Sequence, residues 1–431
     1  MKKKVLAMIM AGIIAAGSLL AGCGGKDDGK QSTGAGAQDQ GAEKTESGYA
    51  KDAKLKVWGS QEDQDMYKKL IEMFKEEHPE AADWTIEQAV VMGADAKTEL
   101  LKDASTAADI FDFASDQVME LQAANALYRI TKNKDQIVAN NLEASIQAAS
   151  VDGELYGYPV ASTTFVMFYD KSMYSEEEVK NLNTMMEKEL PKGVTNFSMD
   201  IDNGWYNSCF FQAVGCRLFG ESGTEADQCD FNNEKGLLAG NYLADLAANK
   251  KFANQDGPVL LKAFENRTLG ATFTGTWDAE LIKGYLGEDY GVTTLPEITL
   301  EDGSTVQLAS MMNFNLTGVN AQTKYPAEAM LLAEYLTNSE TALKARYELR
   351  PGASTNQLME ETIAADADNE AMQALTEQSK LSVMQTSIPQ VANFWSPAEA
   401  FGAGLMNQTI TKDNMQESLD KMVENTLSKL G

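Results

Sequence analysis

The chain has 431 residues, of which 43% are hydrophobic and 23% are charged. Its 64 acidic side chains outnumber its 36 basic ones, which gives a formal net charge of −28. Such a surface repels nucleic acid, and no basic stripe occurs along the sequence, so a nucleic-acid partner is excluded. The length and apolar content predict a large core divided between two domains.

The first 22 residues have the composition of a secretory signal peptide. Three lysines precede an apolar run that is too short and too rich in glycine for a membrane-spanning helix. The run ends in Leu20-Ala21-Gly22-Cys23, which matches the bacterial lipobox, a resemblance that implies lipidation of the Cys23 thiol. A cleaved signal followed by an incidental cysteine is the alternative. We therefore expect export and a lipid anchor on the extracellular face of the cell membrane.

Residues 23–53 are expected to form a flexible tether. The stretch 24–48 contains glycine, serine, glutamine and charged residues but no large apolar side chain, so it cannot bury enough surface to fold. The folded part is expected to begin near Lys54. Since no other stretch approaches membrane-spanning length, the lipid is the only membrane anchor that we infer.

From Lys54 onward, short apolar strands alternate with amphipathic helices. The first predicted helix has Met66, Leu70 and Phe74 on one face and is stopped by Pro79. This β-α-β-α-β order predicts an α/β fold, a mostly parallel sheet with helices on both faces. The predicted strands cover residues 54–58, 84–91 and 108–114, and the helices that follow them cover residues 64–79, 96–105 and 117–127.

The middle of the chain predicts a passage between domains and then a second region. Residues 155–174 form a long, continuous strand-forming run that suits a segment crossing from one domain to the other. Helices are predicted over residues 205–220 and 234–249, and a hairpin is predicted around Asp302-Gly303. From residue 325 the chain is expected to be largely helical. The buried stripe of its terminal helix is predicted from Met415, Leu419, Met422, Val423 and Leu427.

Motifs for catalysis or metal binding are sparse. Beyond Cys23 the sequence has Cys209, Cys216 and Cys229, an odd number that makes no disulfide framework and leaves open whether one of them pairs. A zinc site is not expected because His78 is the only histidine and no Cys-x-x-Cys occurs. Neither a nucleophile elbow nor a phosphate-binding glycine loop is present. We therefore predict no metal and no cofactor.

The tryptophans are the stronger indication of a ligand. Several stand at the ends of predicted elements, beside hydroxyl, amide and carboxylate groups. A sugar site requires this combination, because rings cover the apolar faces of pyranoses while polar groups bond their hydroxyls. Core packing is the alternative for each ring, and for Phe394 it is the expectation. The five tryptophans are Trp58, Trp84, Trp205, Trp277 and Trp395.

Six segments together resemble the extracellular solute-binding proteins of bacterial ABC importers, most closely the maltose/maltodextrin-binding members. The match covers roughly residues 54–429. The tryptophan after glycine in AFENRTLGATFTGTWD is typical of the whole family, and SIPQVANFW is more particular to the maltodextrin-binding members. The other four segments are LKVWGSQED, ADIFDFASDQ, VDGELYGYPVASTTFVMFYDKSMY and YGVTTLP.

The resemblance implies aromatic contacts with the sugar, most of them from the second lobe. Trp277 and Trp395 match two tryptophans that stack on sugar rings in the family. Trp205, with Tyr206 beside it, falls on a stacking tyrosine. Phe113 falls on a further site tryptophan and would keep a ring without the indole N–H donor.

The resemblance also implies polar ligand contacts in the first half. Asp116 matches an aspartate that binds sugar hydroxyls, and Glu62 and Asp63 lie where the family has an Asp-Lys pair. Gln117 replaces an arginine, and Thr163 replaces a glutamate. With Phe113, these replacements put sugar length, linkage preference and affinity in doubt, but not the mode of binding.

The architecture implied is a periplasmic-binding-protein-like α/β fold with two lobes, a ligand cleft between them and three hinge crossings. The first lobe is expected to contain residues 54–162 and 309–364, and the second residues 163–308 and 365–431. The crossings are expected near residues 160–164, 306–310 and 363–366.

The function implied is that of a monomeric binding protein. It would capture maltooligosaccharides by closing its cleft and deliver them to ABC permease subunits without breaking a bond. One alternative is another neutral oligosaccharide as ligand. An alternative of a different class is a surface-anchored glycoside hydrolase, in which Glu62 or Asp63 would pair with Asp116.

Overall fold

The structure is a computed structural model that describes residues 48–366 and 368–428. These residues belong to one compact unit. The predicted signal peptide, Cys23 and most of the predicted tether lie outside the described residues. Within the described part, no helix is both long enough and apolar enough to cross a membrane.

The first part of the unit follows the predicted alternation of strands and helices. Met66, Leu70 and Phe74 are buried on one face of the first long helix, which ends before Pro79 as predicted. In chain order the elements are β1 (Lys54–Gly59), α1 (Gln64–Glu77), β2 (Thr85–Val90), α2 (Ala96–Lys102), β3 (Ile110–Ala114), α3 (Val118–Ala123), α4 (Lys134–Asn140), α5 (Glu143–Ala148), β4 (Ser150–Val151), β5 (Glu154–Leu155) and β6 (Tyr158–Thr163).

The second part also alternates strands and helices, and the hairpin predicted around Asp302-Gly303 is confirmed. Gly303 has a φ of 84° at its turn, a conformation that glycine adopts without strain. The elements are β7 (Phe165–Asp170), α6 (Leu182–Glu187), β8 (Thr195–Met199), α7 (Gly204–Ala213), α8 (Glu234–Ala248), β9 (Phe252–Asn254), α9 (Gly257–Glu265), β10 (Leu269–Gly275), α10 (Ala279–Leu286), β11 (Tyr290–Thr293), β12 (Glu297–Thr299) and β13 (Thr305–Gln307).

The last part is largely helical, as predicted. Four residues of the predicted terminal stripe are buried, and Leu427 packs against them while half-buried. The elements are β14 (Met311–Val319), α11 (Pro326–Asn338), α12 (Glu340–Leu349), α13 (Glu360–Ala365), α14 (Glu370–Ser379), β15 (Val383–Met384), α15 (Ala392–Met406) and α16 (Met415–Thr426).

Two large sheets organise the unit into two lobes. The first sheet has the order β15-β14-β3-β1-β2, with β6 paired to β14. Strand β1 is parallel to β2 and β3, so the carboxyl ends of these three strands lie at one edge. The residues that follow them, near positions 60–63, 91–95 and 115–117, are therefore brought to the same edge of the first lobe.

The second sheet has the order β11-β7-β10-β8-β9 and arranges its strand ends in the same way. Strand β8 is parallel to both β9 and β10. The residues after these strands, near positions 200–206, 255–256 and 276–278, therefore meet at one edge of the second lobe. Ligands in α/β folds bind at such carboxyl ends of strands.

The chain passes from one sheet to the other at Thr164, within the predicted strand-forming run. The run forms two strands, because β6 pairs with β14 of the first sheet and β7 pairs with β10 and β11 of the second. The Thr164 hydroxyl donates to the carbonyl of Met311, where the chain returns to the first sheet. Motion at these passages remains a prediction.

Three further boundaries differ from prediction. The helix predicted over 205–220 ends at Ala213, because Gly215 adopts a φ of 88°. Strand β15, predicted within the second lobe, pairs with the start of β14 in the first sheet. The folded body begins before Lys54, since the Ala50 N–H donates to Glu328 (2.5 Å) and the Ala50 carbonyl accepts from the Trp84 indole (2.8 Å). The last residues of the predicted tether are thus packed.

Candidate functional site

The loop after β1 carries two of the predicted polar residues, which have different surroundings. Glu62 is exposed, whereas Asp63 is half-buried and already bonded. The Ser60 hydroxyl donates to Asp63 Oδ2 at 2.7 Å, and Arg350 Nε lies 2.8 Å from Asp63 Oδ1. The carboxylate of Glu62 is therefore the more available of the two to a ligand, and Asp63 orders the loop.

Asp116 lies in the short turn Ser115–Gln117 after β3, at the same edge. Burial raises the pKa of its carboxyl to about 6, against the lowering effects of the Lys97 charge and of a hydrogen bond from the Gln385 side chain. A half-buried carboxylate with few bonded neighbours has acceptor capacity to spare. Such a group can accept hydrogen bonds from sugar hydroxyls.

Two replacements identified in the sequence do not lie in the cleft. The Phe113 side chain is 1% exposed and packs against Phe111, so the expectation of a ligand-stacking ring at this position is wrong. Strand alternation explains the difference, because Phe111 and Phe113 point to the core face of β3. Gln117 is also buried, and its amide donates to the carbonyls of Gly93 and Ala94, so it orders the loop after β2.

Thr163 ends β6 at the passage between the lobes. It is half-buried and lies opposite Asn313 of β14. The Asn313 side chain donates to Gln385 Oε1 at 2.9 Å, and its own Oδ1 is buried with no partner among the described residues. Thr163, Asn313 and Gln385 thus form a polar group beside Asp116 at the junction of the lobes.

On the second lobe, Trp277 presents the most exposed aromatic ring of the predicted set. Its side chain is 39% exposed, in the short turn Thr276–Asp278 after β10. The ring folds back over Gly275, where a Cβ atom would overlap it, so a larger residue at this position would displace the ring. Asp278, only 8% exposed, accepts from the Thr274 hydroxyl at 2.7 Å.

Trp205, Tyr206 and Trp395 form a second aromatic group on this lobe. Each is half-buried and packs against the core, where the ring of Phe165 contacts those of Trp205 and Tyr206. A Cβ atom at Gly204 would lie 3.3 Å from the Trp395 ring, so Trp395 covers the beginning of α7. Phe394 is 1% exposed, which confirms it as a core residue.

The two lobes face each other through these groups. Burial raises the pKa of Asp278, the charge of Glu62 raises it further, and the charge of Arg350 lowers it. Glu62 and Arg350 belong to the first lobe and Asp278 to the second. A carboxylate and a guanidinium of the first lobe thus act on a carboxylate of the second.

Sequence patterns did not identify Arg350 beside the loop after β1, or Asp200 and Asp202 at the strand-end edge of the second lobe. Asp200 and Asp202 follow β8, and burial together with the hydrogen-bonded Asp202 raises the pKa of Asp200 to about 6, although Asn203 opposes the shift. The charge of Asp200 also acts on Tyr206. The signal available in the sequence was the DIDNG turn before Trp205, whereas nothing near Arg350 pointed to the cleft.

The described part of the chain gives little support for a metal site, a disulfide or a hydrolase site. Residues 48–366 and 368–428 contain no group of three His, Cys, Asp or Glu side chains able to hold a metal ion. Cys209, Cys216 and Cys229 are free thiols, and Cys216 lies beyond the end of α7. Of the carboxylates considered for a hydrolase pair, Asp63 is already bonded to Ser60 and Arg350. The remaining candidate pair is Glu62 with Asp116.

Comparison with known proteins identifies the class. Residues 69–374 match the bacterial extracellular solute-binding protein family, and the chain belongs to it. The family and the fold are those of substrate-binding proteins rather than enzymes.

Individual relatives agree with this class. A galactooligosaccharide-binding protein of Bacillus subtilis is 28% identical over 87% of this chain and 89% of its own length. A maltooligosaccharide ABC transporter solute-binding lipoprotein of Streptococcus pneumoniae serotype 4 is 22% identical over 73% of this chain and 75% of its own length. A solved structure with acarbose is 33% identical, covers 87% of this chain and 98% of its own, and has a TM-score of 0.79.

The predicted family and α/β fold are therefore confirmed. The individual ligand contacts at Glu62, Asp63, Asp116, Thr163, Trp205, Tyr206, Trp277 and Trp395 remain predictions.

Proposed function

We propose that this chain is a lipid-anchored extracellular protein that captures oligosaccharides by closing its two lobes and delivers them to the permease of an ABC importer. The observation that supports it most directly is the pairing of unlike surfaces across the cleft. Glu62, Asp116 and Arg350 supply hydrogen-bonding groups on the first lobe, and Trp277 with Trp395 supplies flat apolar faces on the second. An oligosaccharide has both kinds of surface, since its hydroxyls lie around the rim of each ring and its C–H groups on the faces.

The ligand class proposed first is linear α-1,4-linked glucan. The aromatic positions Trp277 and Trp395 match those of the maltodextrin-binding members, and a maltooligosaccharide-binding lipoprotein is among the relatives. Galactooligosaccharides are the second candidate, because a binding protein for them is 28% identical over most of the chain. Both are neutral polyhydroxylated chains, so the same binding chemistry serves either one.

The anchor proposal rests on the sequence Leu20-Ala21-Gly22-Cys23 and on the family, whose members act outside the cell. Palmitate labelling in cells, compared between wild type and Cys23→Ala, tests it. Label on the wild-type protein alone supports the anchor, whereas equal labelling of the two contradicts it.

Calorimetric titration against a sugar panel tests the binding function. The panel consists of maltose through maltoheptaose, panose, isomaltotriose, β-1,4-galactooligosaccharides and xylooligosaccharides. We expect micromolar or tighter binding of an α-glucan. Micromolar binding of galactooligosaccharides alone would replace the first ligand class by the second, and absence of binding to the whole panel would contradict the proposed function.

Chromatography of the same mixtures after long incubation tests for turnover. A binding protein returns the sugar unchanged. Hydrolysis that disappears in Asp116→Asn would support the glycosidase alternative instead.

A further inference from the structure

Arg350 lies immediately after α12 and holds the loop that follows β1. Its Nε is 2.8 Å from Asp63 Oδ1, and its Nη1 donates to the carbonyl of Glu62 at 3.5 Å. Because Ser60 holds the other oxygen of Asp63, the carboxylate bridges Arg350 to the end of β1. The guanidinium is thereby placed at the carboxyl-end edge of the first sheet, although it comes from a distant part of the chain.

Helix α12, which ends just before Arg350, is itself fixed against the first lobe. One turn earlier on α12, the Arg346 guanidinium lies 5.4 Å from the centre of the Tyr67 ring. The Tyr67 hydroxyl donates to Asp112 of β3, which also accepts from Thr317 of β14 at 2.6 Å. The position of Arg350 therefore depends on a helix that is bound to α1 and to the sheet, not on a free loop.

The segment after Arg350 reaches the second lobe. Ala353 packs against the apolar cluster that includes Ala279 and Ile282 of α10, the helix that follows the Trp277-Asp278 turn. The charge of Arg350 also lowers the pKa of Asp278, against the dominant raising effect of burial. Ala353, three positions after Arg350, thus joins this segment to the cluster that contains residues of α10, and the Arg350 charge acts on Asp278 just before that helix.

The guanidinium has donors left for a ligand. Arginine carries five N–H groups, and the contacts with Asp63 Oδ1 and with the Glu62 carbonyl engage two of them, one on Nε and one on Nη1. The side chain is 30% exposed, so the remaining donors are accessible. Cationic donors of this kind bond more strongly to a hydroxyl than neutral ones do.

We propose that Arg350 is a ligand-contacting, specificity-determining residue of the cleft, which donates from the first lobe to a sugar hydroxyl bound opposite Asp278. This inference rests on the proposed function and assigns one of its contacts. The arrangement favours a sugar unit with a hydroxyl between the two lobes, and it disfavours a unit with a positive charge there. Closure brings Asp278 nearer to Glu62, and Arg350 offsets the repulsion between these carboxylates.

The direct test compares substitutions at Arg350 with a matched control on α12, the helix that precedes it. Lys344 of α12 is exposed and pairs with Glu340, away from the cleft, so Lys344→Ala removes a cation without removing a cleft donor. Affinity of the detergent-solubilised full-length protein for the tightest sugar of the panel is measured by calorimetry. We expect Arg350→Ala to weaken binding about 10- to 100-fold, Arg350→Lys about 3- to 10-fold, and Lys344→Ala by less than about twofold.

A double-mutant cycle separates direct contact from support of Asp63. If Arg350 acted only by holding Asp63, Arg350→Ala would not weaken sugar binding further in an Asp63→Asn background. We expect a further loss of at least about fivefold in that background, because the hydroxyl contact is independent of Asp63. Melting temperatures of all variants identify any that fail to fold, and the charge-conserving Arg350→Lys variant then supplies the measurement.

The outcomes are distinguishable. If the wild type binds sugar and Arg350→Ala binds it equally well, the inference is overturned and the proposed function stands. An affinity loss that vanishes in the Asp63→Asn background reduces Arg350 to a positioning residue and also overturns it. Absence of sugar binding by the wild type overturns the proposed function together with this inference.

Discussion

The two lobes contribute to the cleft by different physical means. In the first lobe the polar groups are held by other polar groups: Ser60 and Arg350 fix Asp63, and the Gln385 amide bonds Asp116. In the second lobe the rings are held by the apolar core, as where Phe165 contacts Trp205 and Tyr206. The first lobe should therefore respond to pH and salt, and the second to changes in side-chain volume.

The largest loss of affinity is expected from Trp277→Ala, on the second lobe. The ring is the most exposed of the cleft aromatics, so it gives up the most water-accessible apolar area to a stacked sugar. We expect binding to weaken by about 2–3 kcal/mol, or roughly 30- to 150-fold, in calorimetric titration.

Leu281→Ala is the matched control for Trp277→Ala. Leu281 is exposed on α10, which follows the Trp277 turn, and its truncation should leave affinity within about twofold. Equal losses in the two variants would show that the effect is general to this surface, and would break the distinction between the lobes.

Substitutions at the neighbouring residues Phe394 and Trp395 should separate an effect on ligand binding from an effect on core packing. Trp395→Ala should weaken oligosaccharide binding by about 1–3 kcal/mol and leave folding intact. Phe394→Ala should instead lower the free energy of unfolding by about 3–4 kcal/mol, because it empties a fully buried site. Calorimetric titration and denaturant unfolding of both variants measure these two effects. Equal losses of stability in the two variants would contradict the prediction.

Asp116→Asn should have opposite effects on binding and stability. Burial raises the pKa of the Asp116 carboxyl to about 6 in the folded state, above the ordinary value of 3.8, so the folded protein holds this proton more tightly. Its contribution to stability is therefore present below about pH 4 and is lost as pH rises through about 6.

Asp116→Asn has no carboxyl group to ionise, so it avoids this loss of stability at neutral pH. At pH 7 we expect Asp116→Asn to be about 1–2 kcal/mol more stable and to bind sugar about 5- to 30-fold more weakly. The stability of the wild type should fall more steeply between pH 4 and 6 than that of the variant. Thermal unfolding from pH 4 to 8 measures this slope, and parallel curves would contradict the assignment of the raised pKa.

The smallest effect on affinity is expected from Phe113→Leu. Because Phe113 is buried in the first lobe, the change should cost about 1 kcal/mol of stability and alter sugar affinity by less than about twofold. A tenfold loss of affinity without loss of stability would restore Phe113 as a ligand contact and would give the first lobe an aromatic platform.

Parts of the site could be predicted because they depend on local sequence. The strand that ends in Ala114 and the turn with Asp116 were expected, since apolar runs bounded by polar turns define strand ends in an α/β fold. Trp277 was expected at a junction because glycine precedes it. Phe113 was misjudged because a match by position ignores strand alternation, which turned its ring to the core.

What the sequence by itself determined was the class of fold, the order of most elements and the positions of the aromatic residues in the second lobe, whereas the export signal remains a prediction. Periodicity and turn residues act over a few positions, so they can be seen along the chain. Only the tertiary structure brought Arg350 to Asp63, 287 positions apart, and placed the Arg350 charge where it acts on Asp278. Such contacts depend on how two sheets and their helices pack, which no local pattern records.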